Sequence, residues 1–321
     1  MRAARSVGVR EVRVEQVDEP VPDPGEVVAA VLACGVCGSD VSDAWVAPKL
    51  PVVLGHELTA EVLEVGAGVA GVAPGDRVVV HHHAPCGRCR ACARGRETLC
   101  DRFRATQLDP GGFAERVRIP AELVPELLPL HGVGADAGTF VEPLACVLRA
   151  LDRCRVGPSD RLLVLGAGTS GLLAVAAART RDVEALWVRE PRAGRRARAV
   201  ALGAAVHDGE AVDVALCCTA APAAIADAFA ALGPGGILGL YAPPAPGAAL
   251  GLDGHALYRR EVEVVPSYSA GPADMRAALA LVASGAVDPL PFVTHRLGLE
   301  ETGRALELAR TGEALKALVL P

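Results

Sequence analysis

The stretch LLVLGAGTSG at residues 162–171 decides the fold of this 321-residue chain. An apolar strand leads directly into Gly166-x-Gly168-x-x-Gly171, and an apolar-periodic helix follows at once. Glycines at this spacing allow a tight turn, a close approach of the backbone to a pyrophosphate and close packing of helix on strand. A Gly-rich turn can also be purely structural, but the order strand, turn, helix favours a dinucleotide site.

The residues after the glycines extend this prediction. Thr169 and Ser170 open the helix, where unpaired backbone N–H groups suit phosphate oxygens. Glu190 ends the next predicted strand, at the distance where an acidic side chain binds ribose hydroxyls. Because Glu190 would repel a 2′-phosphate, we expect NAD as the cofactor. Three nearby cations keep NADP open as the alternative: Arg189, Arg192 and Arg195.

The rest of the chain falls into two kinds of pattern. From residue 161 onward predicted strands alternate with helices, which indicates a doubly wound α/β domain with a parallel sheet. The first 145 residues consist of short β-branched runs divided by Gly, Pro and Asp, which is typical of a mostly β domain. We therefore predict a first domain at 1–145, a nucleotide-binding domain at 146–288, and a segment 289–321 whose final strand returns to the first domain.

Composition excludes several classes of protein. A formal net charge of −6 argues against a nucleic-acid partner. No apolar run reaches the 18 or so residues of a membrane helix, and the first residues lack the pattern of a signal peptide. We expect a cytoplasmic protein without a membrane partner. In a reducing compartment, the clustering of four of the ten cysteines indicates metal rather than disulfides.

The four clustered cysteines form the first candidate metal site. Cys86-x2-Cys89-x2-Cys92-x7-Cys100 lies in a polar loop, and four thiolates at this spacing suit tetrahedral zinc with no open position. An iron–sulfur cluster is the alternative, but the long last spacing and the lack of a following proline argue against it. We predict a structural zinc that takes no part in chemistry.

A second group of candidate ligands is scattered along the sequence. It comprises Cys37 in CGVCGSD, His56 and Glu57 in LGHE, and Glu142 in VEPLA. Taken singly, each has a structural interpretation: a buried thiol, a core histidine, or an acid in the first turn of a helix. Spacing alone does not join them.

Together these motifs resemble the zinc-containing medium-chain alcohol dehydrogenases. CGVCGSD, LGHE, GDRV, the cysteine lobe, GGFAE, VEPLA, GAGTSG and a closing THR…KALVLP follow one another in the order of that family along nearly the whole chain. VEPLA and VREP are most similar to the sorbitol and threonine dehydrogenase branches. The resemblance implies a Rossmann-type domain plus a GroES-like catalytic domain, two zinc ions per chain, and a homodimer or homotetramer.

The resemblance also implies roles for individual residues. Cys37 and His56 would bind a catalytic zinc; Glu57 and Glu142 match two candidate positions, one a direct ligand and the other close by or bound through water. Ser39 matches the hydroxyl that passes the alcohol proton towards solvent, and Arg195 matches an arginine near the adenosine ribose. Zinc with three protein ligands keeps a position for substrate and, as a Lewis acid, lowers the pKa of an alcohol.

Two segments depart from the pattern of the family. The loop between Asp40 and His56 is short, which predicts an open substrate entrance or one covered by a neighbouring subunit. A histidine often found after CGSD is replaced by Ser42 and Asp43, so we expect water in the outer proton relay. The triplet HHH at residues 81–83 is predicted to be structural, because successive strand residues point to opposite faces and cannot all converge.

Three functions remain in competition. We expect a polyol, cyclitol or sugar-alcohol dehydrogenase that acts on a secondary alcohol and its ketone. An amino-alcohol dehydrogenase of the threonine type is the second hypothesis. A catalytically silent dinucleotide-binding protein is the third, and the presence of all the candidate zinc ligands argues against it.

Overall fold

The computed structural model describes all residues, 1–321, and divides them into two compact units. The first unit comprises Met1–Glu142 together with Gly271–Pro321, and the second comprises Pro143–Ala270. None of the helices combines the length and the apolar composition that a membrane crossing requires.

The N-terminal part of the first unit is built from short strands and very short helices. Its strands are β1 (Arg2–Gly8), β2 (Glu11–Gln16), β3 (Val27–Gly35), β4 (Val52–Val53), β5 (Glu57–Val65), β6 (Arg77–Val80), β7 (Arg116–Ile119) and β8 (Leu128–Pro129). Its helices are α1 (Asp43–Val46), α2 (Arg90–Ala93), α3 (Asp101–Ala105) and α4 (Ala135–Gly138).

The second unit alternates strands and helices, as the sequence predicts. It begins within α5 (Val141–Arg153), whose first two residues belong to the first unit. Its strands are β9 (Arg161–Leu165), β10 (Ala185–Arg189), β11 (Ala205–Val206), β12 (Val212–Cys217), β13 (Leu232–Leu240) and β14 (Glu263–Pro266). Its other helices are α6 (Thr169–Arg179), α7 (Ala193–Ala201), α8 (Pro222–Ala231) and α9 (Gly254–Arg259).

The chain then completes the first unit. The remaining elements are α10 (Pro272–Ala283), β15 (Val293–Gly298), α11 (Thr302–Thr311) and β16 (Lys316–Leu320). Strand β16 pairs antiparallel with β3, with Leu318 opposite Gly35, so the predicted return of the final strand is confirmed.

The sheet of the second unit confirms the doubly wound prediction. Its six strands are all parallel and follow the order β11-β10-β9-β12-β13-β14. This order reverses direction between β9 and β12, and dinucleotides bind at such a reversal, beyond the carboxyl ends of the strands. The edge strands β11 and β14 were not predicted from the sequence, because two and four residues are too few to show a period.

The first unit confirms the mostly β prediction. A seven-stranded sheet has the order β15-β16-β3-β5-β6-β8, with β7 also paired to β3, and a smaller sheet has the order β2-β1-β4. Both contribute to one apolar core, in which Val27, Leu58, Val78, Phe113 and Val319 are almost fully buried. Aliphatic residues dominate this core, as expected from an aromatic content of only 3%.

The domain boundaries differ from those predicted. The chain passes from the first unit to the second between residues 142 and 143 and returns between residues 270 and 271. The sequence placed these boundaries at 145/146 and 288/289. Helix α10 therefore belongs to the first unit, where Arg276 lies 3.8 Å from Glu126. Hydrophobic periodicity identifies such a helix but does not tell which of two sheets it packs against.

Candidate active site

Strand pairing in the first unit brings four chain segments to one end of the large sheet. Gly35 at the end of β3 lies opposite Glu57 at the start of β5, and Leu58 lies opposite Val80 at the end of β6. Strand β16 joins the same end, with Leu318 opposite Gly35. Because antiparallel neighbours run in opposite directions, residues that follow β3 and β6 meet residues that begin β5 and β16.

This end of the sheet carries the candidate catalytic ligands. One ligand atom from each of Cys37, His56 and Glu57 lies within 4.8 Å of the others. A thiolate, an imidazole and a carboxylate at this separation suit a zinc ion that keeps a fourth position open. The residues thus fit the metal that the sequence resemblance implies, and Glu57 rather than Glu142 completes this group.

Asp40 orients two of these ligands. The backbone N–H of Cys37 donates to its Oδ2 at 2.9 Å, and its Oδ1 lies 3.4 Å from Nδ1 of His56. Burial by itself would lower the pKa of His56, but the charges of Asp40 and Cys37 outweigh burial and raise it well above the usual value. Asp40 thus favours a proton on Nδ1, which leaves Nε2 as the nitrogen for a metal.

The neighbours of Cys37 likewise shift the pKa of its thiol. Burial alone would raise the pKa of this thiol, but the charge of His56 and a hydrogen bond from its ring outweigh burial, so the pKa is lowered. A lowered pKa favours the thiolate, which is the form that binds metal.

Glu57 is also held by a buried lysine. Nζ of Lys316 donates to Oε2 of Glu57 and to the carbonyl of Val36, the latter at 3.2 Å. Both charged side chains are 2% exposed. Gly35 makes room for the pair, because a Cβ at that position would lie 2.5 Å from Oε2 of Glu57 and 2.6 Å from Cε of Lys316.

Burial disfavours the charged form of Lys316. Burial lowers its pKa to about 8, although the negative charges of Cys37 and Asp40 oppose this shift. Because Nζ of Lys316 also donates to Glu57, the two side chains form one buried unit that fixes Glu57 beside the other ligands.

Glu142 lies in a different group, with two of the three consecutive histidines. One ligand atom from each of His81, His82 and Glu142 lies within 4.8 Å of the others. The three histidines do not all converge, as predicted, but His81 and His82 do, because β6 ends at Val80 and strand alternation no longer applies beyond it. His83 does stay outside the group, since its Nδ1 lies 3.1 Å from the carbonyl of Thr106.

The environment of the histidines keeps them neutral. Burial lowers the pKa of His81 to about 3 and that of His82 well below its usual value, and the neighbouring His83 and His56 lower both further.

Ser39 occupies a half-buried position on the turn between Cys37 and Asp40, and its role in proton transfer stays a prediction.

The four cysteines of the polar loop come together as predicted. One sulfur from each of Cys86, Cys89, Cys92 and Cys100 lies within 4.8 Å of the others. Backbone N–H groups point at the sulfurs: that of Cys86 donates to Cys100 and that of Cys89 donates to Cys86, each at 3.3 Å. Backbone hydrogen bonds from Arg88 and Cys89 lower the pKa of Cys86 to about 6. Four sulfurs in such surroundings fit tetrahedral zinc.

The dinucleotide motif of the second unit has the expected form. Gly166 has a φ of +90°, and a Cβ on Gly171 would lie 1.8 Å from the carbonyl oxygen of Gly166. Only glycine fits at this contact, which lets α6 begin directly above the end of β9. Thr169 and Ser170 are the first two residues of α6. Their N–H groups lie in the first turn of α6, the part of a helix where phosphate oxygens bind.

Glu190 and Arg195 flank the same turn. Oε2 of Glu190 accepts the N–H of Ala167 at 2.7 Å, and Oε1 accepts the N–H of Arg192 at 2.9 Å. One guanidinium nitrogen of Arg195 lies 3.7 Å from the position of a Cβ on Gly168. Glu190 thus ties the turn to the end of β10, and Arg195 places a cation beside the turn.

Two residues of this site, Asp40 and Lys316, were not assigned a role from the sequence, and His81 and His82 were assigned only a structural one. Asp40 stands three residues after Cys37, a spacing at which an aspartate side chain can accept the backbone N–H of the first residue of the turn. The role of Asp40 could therefore have been predicted from the sequence. Lys316 begins the apolar run KALVLP, where a buried lysine needs a partner. No local signal identifies Glu57 as that partner, because the two residues are 259 positions apart.

Comparison with known proteins shows two matching family models. The alcohol dehydrogenase GroES-like domain matches residues 23–129, and the zinc-binding dehydrogenase domain matches residues 159–317.

Individual relatives cover nearly the whole chain. L-threonine 3-dehydrogenase of Pyrococcus abyssi is 32% identical over 95% of this chain and 94% of its own length. Sorbitol dehydrogenase of Halalkalibacterium halodurans is 31% identical over 96% and 95%, respectively. The structure of a candidate zinc-binding dehydrogenase from Sinorhizobium meliloti 1021, bound to NADP, superposes with a TM-score of 0.90 at 28% identity and covers 100% of this chain and 99% of that one.

The chain therefore belongs to the zinc-containing medium-chain alcohol dehydrogenase family. Its relatives include both branches that the sequence motifs suggested, the sorbitol and the threonine dehydrogenases.

Proposed function

We propose that this protein is a zinc-dependent dehydrogenase that transfers hydride between a secondary alcohol of the polyol, cyclitol or sugar-alcohol class and NAD. The observation that carries the proposal is the convergence of Cys37, His56 and Glu57 within 4.8 Å at one end of the sheet. Family membership supports the same reaction type.

Each residue has a defined task in this proposal. Cys37 and His56 hold the metal, Asp40 fixes the ring of His56, and Glu57 supplies the third ligand while Lys316 fixes its other side. When bound, zinc supplies a Lewis acid that lowers the pKa of an alcohol, and the dinucleotide accepts hydride. Ser39 carries the alcohol proton outward.

Two substrate classes have support among the relatives. Proteins named sorbitol dehydrogenase and probable D-xylulose reductase A, the latter from Aspergillus terreus, support a polyol. L-Threonine 3-dehydrogenases at 32% identity support an amino alcohol equally well, so this is the second candidate. A panel of polyols, inositols, L-threonine and primary alcohols, assayed by NADH formation at 340 nm, separates the two. Turnover of only primary alcohols would exclude both.

The cofactor preference rests on Glu190 at the end of β10. An acidic side chain after this strand would repel a 2′-phosphate, which favours NAD, whereas Arg195 and the NADP-bound relative favour the alternative. The ratio of kcat/KM for NAD and NADP decides the question. We expect NAD to be preferred, and Glu190→Ser to reduce that preference at least tenfold.

The catalytic assignment has its own test. Cys37→Ser should abolish turnover and leave the dissociation constant of NADH within about twofold of wild type. The mutation removes a metal ligand in the first unit, whereas the dinucleotide motif lies in the second. Substantial residual activity of this variant would show that the catalytic group lies elsewhere.

We further propose that the protein works in the cytoplasm as a homodimer or homotetramer. The clustered cysteines of the polar loop need a reducing compartment to stay available for metal, which supports the location. Light scattering on the purified protein measures the subunit number, and a monomer would contradict this part of the proposal.

A further inference from the structure

The chain has only two lysines among its 32 basic residues, and they lie in different surroundings. Lys316 is buried against Glu57, whereas Lys49 is exposed in the short loop that joins Asp40 to His56. A lysine ammonium is a compact charge with three donors on a flexible stem, unlike the planar fork of arginine. Lys49 is thus the only exposed ammonium side chain of the protein, and it stands between two residues of the candidate active site.

An aromatic ring holds Lys49 in place. Trp45 in α1 is 45% exposed, and Nζ of Lys49 lies 3.8 Å from the centroid of its ring. The two residues belong to consecutive short helical segments, α1 and the turn Ala47–Lys49. The face of an indole attracts a cation without neutralising its charge. Trp45 therefore restricts the position of the ammonium and leaves it able to bind an anion.

The Lys49 ammonium lies close to the candidate active site. Nζ has no ion pair or hydrogen bond with a carboxylate. Burial lowers the pKa of Lys49, and the charge of Asp40 opposes this shift. Burial also lowers the pKa of His82 and His83, and the charges of His56 and Lys49 lower both further. Since electrostatic effects fade beyond about 10 Å at ordinary ionic strength, these mutual effects place the ammonium beside this group of residues.

Solvent reaches the site on the side of this loop. The side chain of His56 is 18% exposed, whereas those of Asp40 and Glu57 are 3% and 2% exposed. The loop that carries Lys49 ends at His56, so a molecule that approaches this ligand from solvent passes the ammonium. A cation at such a position attracts anionic molecules and gives neutral ones no comparable interaction.

We propose that Lys49, positioned by Trp45, binds an oxyanion group of the substrate, so the substrate is a polyol that carries a phosphate or a carboxylate. This inference rests on the dehydrogenase function proposed above and narrows its substrate class. An ammonium donates charge-assisted hydrogen bonds to either oxyanion, and these are roughly twice as strong as bonds between neutral groups. A neutral polyol at the same site lacks that interaction.

Three compounds with the same carbon chain test the preference: D-sorbitol, D-sorbitol 6-phosphate and D-gluconate. NADH formation by the zinc-loaded enzyme should give a kcat/KM at least tenfold higher for an anionic compound than for sorbitol. The phosphate and the carboxylate are separate arms, so the larger value identifies the group that Lys49 recognises. The preference should weaken as NaCl is added, because salt screens an exposed charge.

Variants assign the preference to Lys49. Lys49→Met removes the charge and keeps the length of the side chain, so the ratio of anionic to neutral kcat/KM should fall at least tenfold, whereas Lys49→Arg should lose less. Arg259→Met is the matched control, because Arg259 is an exposed cation in the second unit, and its ratio should equal that of wild type. Equal kcat/KM for neutral and anionic compounds, or a wild-type ratio in Lys49→Met, would overturn the proposal.

Acetylation of lysine tests the anion site without turnover. Lys316 is 2% exposed, so N-hydroxysuccinimide acetate should modify the Lys49 side chain first, and mass spectrometry detects that modification directly. Sorbitol 6-phosphate or gluconate should slow the acetylation of Lys49 at least threefold, whereas equimolar sorbitol should not, and equal rates would contradict the proposal. Protection of Lys49 without oxidation of any polyol would support the anion site and contradict the dehydrogenase function, so the two failures are distinguishable.

Discussion

Replacing Lys316 with methionine isolates the energetic role of the buried ion pair. The variant keeps the length and apolar stem of the side chain but leaves Glu57, which is 2% exposed, without its cation. Breaking a buried pair by removing one partner costs about 3–5 kcal/mol, since an uncompensated charge remains buried. At about 2–4 °C per kcal/mol for a domain of 150–250 residues, the melting temperature of the first unit should fall by roughly 6–20 °C.

Calorimetry at pH 7 measures this loss on protein from which chelator dialysis has removed the metal held by Cys37, His56 and Glu57, because that metal would itself compensate the Glu57 carboxylate. An exposed pair provides the matched control: Arg304 and Glu301 are 67% and 47% exposed, and their 3.0 Å contact is worth about 0–1 kcal/mol. Arg304→Met should therefore lower the melting temperature by less than about 4 °C.

The double variant Lys316→Met with Glu57→Gln distinguishes an unpaired charge from a packing defect. Removing both charges should recover more than half of the loss caused by Lys316→Met alone, because no buried charge is left without a partner. If Lys316→Met melts within 2 °C of wild type, or if the double variant is less stable than both single variants, the reasoning about this pair is wrong.

Three further predictions concern other parts of the chain. Gly171→Ala should raise the dissociation constant of NADH at least tenfold by fluorescence titration, because its Cβ would lie 1.8 Å from the Gly166 carbonyl; Gly194→Ala, with open space around its Cβ, should bind NADH as wild type does. Cys100→Ser should lose one zinc per chain by mass spectrometry and aggregate on mild heating, while a variant that retains this zinc would contradict the four-cysteine site. Asp213→Asn should cost less than about 1 kcal/mol at pH 7, since the partner arginine lowers the pKa of this half-exposed carboxyl. Stability that depends on a lowered carboxyl pKa is lost as the pH falls. Urea unfolding should therefore show the difference in unfolding free energy between wild type and Asp213→Asn shrinking below pH 3.8. A difference that stays constant with pH would refute the assignment.

The sequence by itself determined the nucleotide-binding unit and the four-cysteine lobe. Both are local: strand, glycine turn and helix follow within residues 161–179, and four ligands lie within residues 86–100. Local segments carry their own hydrophobic period and turn residues, so these features can be predicted from the sequence alone. The return of the final strand was also predictable, because KALVLP is an apolar strand with no place in the alternating pattern before it.

The tertiary structure alone decided how the scattered residues combine. Sequence motifs offered Glu57 and Glu142 as alternatives, and strand pairing placed Glu57 beside Cys37 and His56 while α5 placed Glu142 beside the histidines. The end of β6 at Val80 allowed two adjacent histidines to converge, which strand alternation would forbid. Lys316 reaches Glu57 only because β16 lies against β3. Sheet register joins residues far apart in sequence, and no local propensity encodes that register.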